Sequence, residues 1–177
     1  MSGAYPAGPA GAEPPIRDPM PRPGVRERLA GRSAVPPPLV YLVAILVGLL
    51  LGRRWPLSLW PGPPGRRLGG LGLLASAVVA GLAIWECWRA RTSIRPDAPS
   101  TAIVRTGPYR WSRNPMYLGL AALQAGAGLW LDNAWVVLML IPALVVMNAV
   151  ITAEERYLQA RFGAPYREYK RAVRRWL

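Results

Sequence analysis

Histidine is missing from all 177 residues, which removes the commonest general base and the commonest metal ligand. A single cysteine, Cys87, cannot form an internal disulfide, and no cluster of His, Cys and acidic residues has metal-ligand spacing, so no metal is expected. Lysine is almost absent: Lys170 stands alone among 22 basic residues. Arginine used in its place, with abundant Ala, Gly and Pro, points to a GC-rich bacterial genome. Acidic residues are also scarce, nine against 22 basic, giving a net charge of +13. Such a charge raises the question of nucleic acid. The arginines, however, gather at the borders of apolar blocks, where they face anionic lipid headgroups, and no nucleic-acid partner is expected.

The apolar residues come as blocks rather than dispersed at helical or strand period. Spans are expected at about 35–52, 68–88, 115–131 and 134–152. Each is about the length that crosses a hydrocarbon core as a helix, and none shows the two-residue alternation of a barrel strand. The expected fold is therefore all-α: a polytopic helical membrane protein with about four transmembrane helices. Residues 1–33, rich in Pro, Gly, Ala and Arg, are expected to be a disordered basic tail, and 34–177 to form the membrane domain. With both termini on one side, 18 of the 22 basic residues lie on that side. Both termini are accordingly expected in the cytoplasm, the membrane being the bacterial inner membrane. Arg53, Arg54, Arg66 and Arg67 fall on the opposite side, a conflict that a re-entrant first segment would remove.

Local signals refine the picture. Gly72, Ser76 and Ala80 recur every four residues and would let another helix approach closely. Asp132-Asn133 leaves room only for a tight turn, so spans three and four must form an antiparallel hairpin. Pro142 is expected to kink span four. An interfacial helix is expected over about 154–176, with Tyr166, Tyr169, Val173 and Trp176 on one face and Arg167, Lys170, Arg171 and Arg174 on another. It would be either a membrane anchor or a lid.

Two stretches could carry chemistry. In "TGPYRWSRNPMYLG", Thr106–Gly119, Asn114 and Pro115 are a preferred N-cap residue and first helical residue. Span three thus presents its positive dipole end beside Arg110 and Arg113, a place for a carboxylate or phosphate. Gly119 permits close approach of a backbone or ligand, and Tyr117 lies one turn in. The second stretch is Glu154-Glu155, a carboxylate pair in an unfavourable position near a helix C-terminus. Asn148, Thr152 and Glu155 form a polar stripe leading to it. The hairpin brings the Arg-Asn-Pro end and the Glu pair together. That juxtaposition suits a zwitterionic ligand, or equally a set of salt bridges in which the glutamates neutralise Arg110, Arg113 or Arg156. Gln124 and Asn148 are nearly alone as polar groups within the spans, and no repeat is evident, which argues against a transporter.

The opening stretch, followed after one hairpin by "EERYLQARFGAPYREYKRAV", resembles the integral-membrane methyltransferases of the isoprenylcysteine carboxyl methyltransferase and phospholipid N-methyltransferase group. The matching positions are Gly107, Tyr109, Arg113, Asn114, Pro115, Tyr117 and Gly119, then Glu154, Glu155, Leu158, Phe162, Gly163, Tyr166 and Tyr169. The resemblance implies S-adenosylmethionine as cofactor at the cytoplasmic face, between the start of span three and the Glu pair. It also implies a lipophilic or small acceptor, entering from the bilayer. Cofactor contact would fall to Arg113, Asn114, Pro115, Tyr117, Gly119, Glu154 and Glu155, with Gly107 and Tyr109 shaping the entrance. Tyr166 and Tyr169 would let the tail helix close over the site, and Glu154 or Glu155 would be the catalytic group if a proton must be accepted. Methyl transfer from a sulfonium is an in-line displacement that needs alignment more than proton transfer, so the missing histidine is no obstacle. Two departures matter. Many members have His where this chain has Asn114, and "MNAVITAEE" contains no basic residue where the eukaryotic prenylcysteine enzymes place an arginine for the substrate carboxylate. A lipid amine, phenol or small thiol then becomes more plausible as acceptor. The non-enzymatic alternative is a membrane scaffold or accessory subunit that keeps the fold.

Overall fold

The computed structural model describes residues 16–17, 36–92 and 100–177; the expected tail, 1–33, otherwise lies outside the described residues. In chain order the elements are a two-residue strand β1 (Ile16–Arg17), helix α1 (Pro37–Arg54), helix α2 (Pro63–Arg89), strand β2 (Ala102–Ile103), a 3-10 turn (Gly107–Arg110), helix α3 (Pro115–Trp130), a short helix α4 (Ala134–Leu138), helix α5 (Leu140–Phe162) and helix α6 (Ala164–Ala172). β1 and β2 pair antiparallel, Ile16 opposite Ile103.

Among the described residues, three helical stretches are long and apolar enough to cross a membrane: Pro37–Arg54, Pro63–Arg89 and Ala134–Phe162. The first segment is thus a continuous helix of 18 residues; Arg53 and Arg54 end it, and Arg66 and Arg67 lie in the first turns of α2. α3, expected as a fourth span, has only 16 residues, and at about 1.5 Å per residue it rises about 24 Å. Large apolar side chains such as Leu42, Leu50, Leu71, Leu74, Val78, Ile141 and Val145 stay exposed on the outer faces of α1, α2 and α5, as lipid contact requires. α3 is packed between its neighbours, with Tyr117, Ala121, Gln124, Gly126 and Gly128 buried.

With little hydrophobic drive between helices in lipid, close backbone packing holds them. The Gly72–Ser76–Ala80 stripe faces α3, as its spacing implies. A Cβ on Gly126 would sit 2.9 Å from the Leu73 nitrogen, and one on Gly119 would sit 3.3 Å from the Ala80 Cβ. Ser76 Oγ donates to the Gly119 carbonyl at 2.8 Å. A second contact set, Tyr41, Ala44, Tyr117, Ala121, Ala143, Met147 and Ile151, joins α1, α3 and α5.

The hairpin turn is closed by capping. Asp132 takes a left-handed conformation (φ 49°), and Asn133 Oδ1 accepts from Trp135 N and Val136 N at the start of α4. Asp132 also reaches across to the α1–α2 loop, accepting from Ser58 Oγ at 2.6 Å, Leu59 N at 2.9 Å and Trp60 N at 2.8 Å. Pro142 has no N–H for the Leu138 carbonyl, and the helix is interrupted at Met139, between α4 and α5. Gln124, fully buried, donates Nε2 to the Val136 carbonyl at 2.9 Å across this break.

The segment expected as one interfacial helix, 154–176, is divided. α5 carries Glu154 and Glu155 within its own length and ends at Phe162; Gly163, at φ 62°, turns the chain; α6 stops at Ala172. Val173 is extended, and Ser112 and Arg174 form a parallel bridge. The expected face therefore splits: Tyr166 and Tyr169 pack with Ile103 and Phe162, whereas Trp176 packs on the α1–α3–α5 cluster.

Candidate functional site

The start of α3, the end of α5 and the tail meet at one end of the helices. Pro115 is the first residue of α3 and Asn114 occupies the cap position, but the Asn114 side chain does not cap the helix. Its Nδ2 donates instead to the Arg175 carbonyl at 3.0 Å, and Ser112 Oγ donates to the same oxygen at 3.2 Å. Arg113 N donates to the Arg174 carbonyl at 3.0 Å. The Arg-Asn-Pro segment thus docks the tail backbone.

The two glutamates differ. Glu155 is buried and surrounded by cations: Arg113 Nη2 at 3.1 Å, Lys170 Nζ at 3.4 Å and Arg175 Nη2 at 2.8 Å. Arg175 also donates Nε to Glu155 Oε1 at 3.2 Å, completing a two-pronged contact. Of the salt bridges open to the sequence, Glu155–Arg113 forms, while Arg110 is exposed on the 3-10 turn. Glu154 accepts from Tyr117 Oη at 3.0 Å. Tyr41 Oη, from α1, donates to the Tyr117 carbonyl.

The Arg113 side chain is 9% exposed, and its Nε and Nη1 are buried without a hydrogen-bond partner among the described residues. Buried, charged donors without partners are costly, and Nε and Nη1 of Arg113 could hold an anionic oxygen. Tyr166 lies within electrostatic reach of Arg113, Glu155, Glu154 and Arg175. Burial pushes the phenols of Tyr109, Tyr166 and Tyr169 well above the ordinary tyrosine value. They are therefore neutral hydroxyls around neutral pH.

The entrance residues are held from two sides. Gly107, at φ 58°, lies against Glu86, whose Cγ would be 2.8 Å from an added Cβ. Thr106 Oγ1 donates to the Glu86 carboxylate. Tyr109 shares a hydrogen bond with Cys87 Sγ at 3.1 Å, and its carbonyl accepts from Tyr169 Oη at 2.8 Å. Gly119 is a helix-packing residue against Ser76 and Ala80 rather than part of this cluster.

Sequence reasoning missed Arg175. Its Nη1 donates to Asn148 Oδ1 at 2.8 Å and reaches Thr152 Oγ1 at 3.4 Å, so one tail arginine covers the whole polar stripe of α5. The unfilled hydrogen-bonding capacity of that stripe was the available signal. Arg105 was missed as well: it stacks on Tyr169, 5.7 Å from the ring centroid, and donates Nη2 to the Pro165 carbonyl.

Comparison with known proteins fits this geometry. The family model described as phospholipid methyltransferase matches residues 66–165, more than half of the 177-residue chain. An uncharacterized protein of Haemophilus influenzae is 44% identical over 63 residues, which are 35% of this chain and 100% of that protein. The Protein-S-isoprenylcysteine O-methyltransferase of Saccharomyces cerevisiae is 40% identical over 72 residues, 40% of this chain but 30% of the yeast protein. No solved structure matches. A helical chain with apolar faces, its Arg-Asn-Pro and Glu-Glu segments joined at one end, belongs to the phospholipid methyltransferase family.

Proposed function

We infer that the protein transfers a methyl group from S-adenosylmethionine to a lipophilic or small acceptor at the cytoplasmic face of the membrane. One observation carries this reading: Arg113, paired to Glu155, keeps two buried nitrogens, Nε and Nη1, without a partner among the described residues, and Glu154, next in the chain to Glu155, is bonded to Tyr117. The residues present fit a zwitterionic cofactor. Arg113 would take its carboxylate, and Glu154 its ammonium; Tyr166 and Tyr109 offer buried aromatic surface for an apolar portion. When bound, the cofactor supplies an electrophilic methyl on a sulfonium. The protein's task is to orient and dry the reacting pair. Glu155 supports the site indirectly, because its carboxylate is already shared among three cations. Glu154, with Tyr117 as its hydrogen-bond partner, is the carboxylate suited to accept a proton from an amine or thiol acceptor. The yeast relative's printed name supports a methyl acceptor of lipid character, and the exposed apolar faces of α1, α2 and α5 would deliver one laterally. The cytoplasmic assignment rests on the excess of arginine at this end of the chain.

The test is calorimetric titration of the full-length protein in lipid nanodiscs with S-adenosylmethionine. Wild type should bind saturably. Arg113→Ala, removing charge-assisted bonds, should weaken binding about 10–100-fold while the protein stays inserted and folded. Unchanged affinity in Arg113→Ala sinks the site assignment, and no binding by folded wild type favours the scaffold.

A further inference from the structure

Glu155 is fully committed. An ionised carboxylate offers about four acceptor positions. Here Oε1 serves Arg113 Nη2 and Arg175 Nε, and Oε2 serves Arg175 Nη2 and Lys170 Nζ. Two guanidiniums compete for one carboxylate, and Arg175 wins the planar two-pronged geometry that guanidinium prefers. Arg113 is left with one contact through Nη2, which is why its Nε and Nη1 remain unpartnered. Without Arg175, Glu155 could turn both oxygens to Arg113 and consume one of those two nitrogens as well.

Arg175 is delivered from far along the chain. Its backbone is fastened to the segment before α3 by Ser112 and Asn114, and its Nη1 is fixed by Asn148 and Thr152. The whole segment after α5 is connected through Gly163, which has a positive φ and open surroundings rather than a packed contact. We propose that Arg175 is a positioning residue: it latches the α6–tail segment onto α5 and, by monopolising Glu155, keeps Arg113 free to bind an anionic ligand group. The site would be complete only when the tail is docked. The latch is independent of the ligand's identity; the affinity consequence rests on the methyltransferase reading.

The experiment uses full-length protein in nanodiscs, as wild type, Arg175→Ala and Arg175→Lys. Two readouts are taken on each: hydrogen–deuterium exchange over 164–177, and S-adenosylmethionine affinity by calorimetry. Exchange in the transmembrane helices verifies folding, and Arg175→Lys, which keeps the charge without the fork, serves if the alanine variant misfolds. In Arg175→Ala the tail should exchange faster and affinity should fall by about tenfold or more. Arg175→Lys should lie between. Added methylguanidinium should restore both in Arg175→Ala, which a purely packing role would not allow. Tail exchange unchanged in Arg175→Ala overturns the latch. A released tail with wild-type affinity overturns the positioning role. Wild type that binds no S-adenosylmethionine, with a tail released by Arg175→Ala and recovered with methylguanidinium, keeps the latch and removes the methyltransferase reading instead.

Discussion

Asn114 looks like a helix cap and acts as a tether. Its position before Pro115 is what the sequence leads one to expect, but its amide is spent on the Arg175 carbonyl. Asn114→Ala should therefore leave the helicity of α3 intact and loosen the tail, costing about 1 kcal/mol in unfolding experiments. Gly107→Ala should cost more, about 2 kcal/mol, because it combines a positive φ with a clash on Glu86. Circular dichroism melts of the two variants would check both. The raised phenols of Tyr109, Tyr166 and Tyr169 hold their protons in the folded state beyond the ordinary value of 10.0. Unfolding above that pH releases protons, so stability should fall as pH rises past it; a pH series of thermal melts reads this directly. Asp132 has the opposite sign. Its hydrogen bond from Ser58, with the Trp60 and Leu59 backbone donors, lowers its pKa below 3.8, so what it contributes is present above that value and lost as pH falls. Arg113, Tyr117 and the Glu pair could be found in the sequence because two motifs around one hairpin must converge. For Arg175 the sequence offered half a signal: the polar stripe of α5 asks for a donor, but its partners lie 20 to 63 residues away, and no local spacing says which arginine supplies it.

Helices were readable wherever apolar runs end in proline, glycine or arginine. The stripe on α2 identified a packing face but not its partner, since four-residue spacing specifies only that something comes close. That partner is α3, and Gly126→Val should disrupt the pairing, with an overpacking cost of about 1–3 kcal/mol or more; it would appear as lower thermal stability in detergent. Gln124 seemed a stray polar group within an apolar helix. It satisfies a carbonyl beside the helix break that Pro142 imposes, and Gln124→Leu should cost about 1–3 kcal/mol while leaving cofactor affinity alone. The tail was misread as a single helix because the heptad-like face of Tyr166, Tyr169, Val173 and Trp176 continues past the point where the backbone stops. Amphipathic period describes which residues would share a face if the helix persisted; Gly163 and the pairing of Arg174 with Ser112 decide that it does not.

At the scale of the molecule, the two ends of the helices carry different chemistry, although arginines sit at both: Arg53, Arg54, Arg66 and Arg67 lie opposite the candidate site. The Asp132 brace, Trp55, Trp60 and Trp130 gather where α1 meets α2 and α3 meets α4, while the arginine-rich site lies at the other end. Reporter fusions after Leu177 should be active in the cytoplasm, and those placed in the 55–62 loop should report the opposite side. α3 links the two ends with a rise of about 24 Å against a hydrocarbon thickness of about 30 Å. With Trp130 at headgroup level, its Arg-Asn-Pro start would fall about 6 Å short of the opposite edge of the hydrocarbon. Shielded by its neighbours, that start can be sunken without exposing its polar groups to acyl chains. A bilayer-dissolved molecule would then meet the candidate site at its own depth, with no need to be hoisted toward water at about 0.8 kcal/mol for each methylene uncovered.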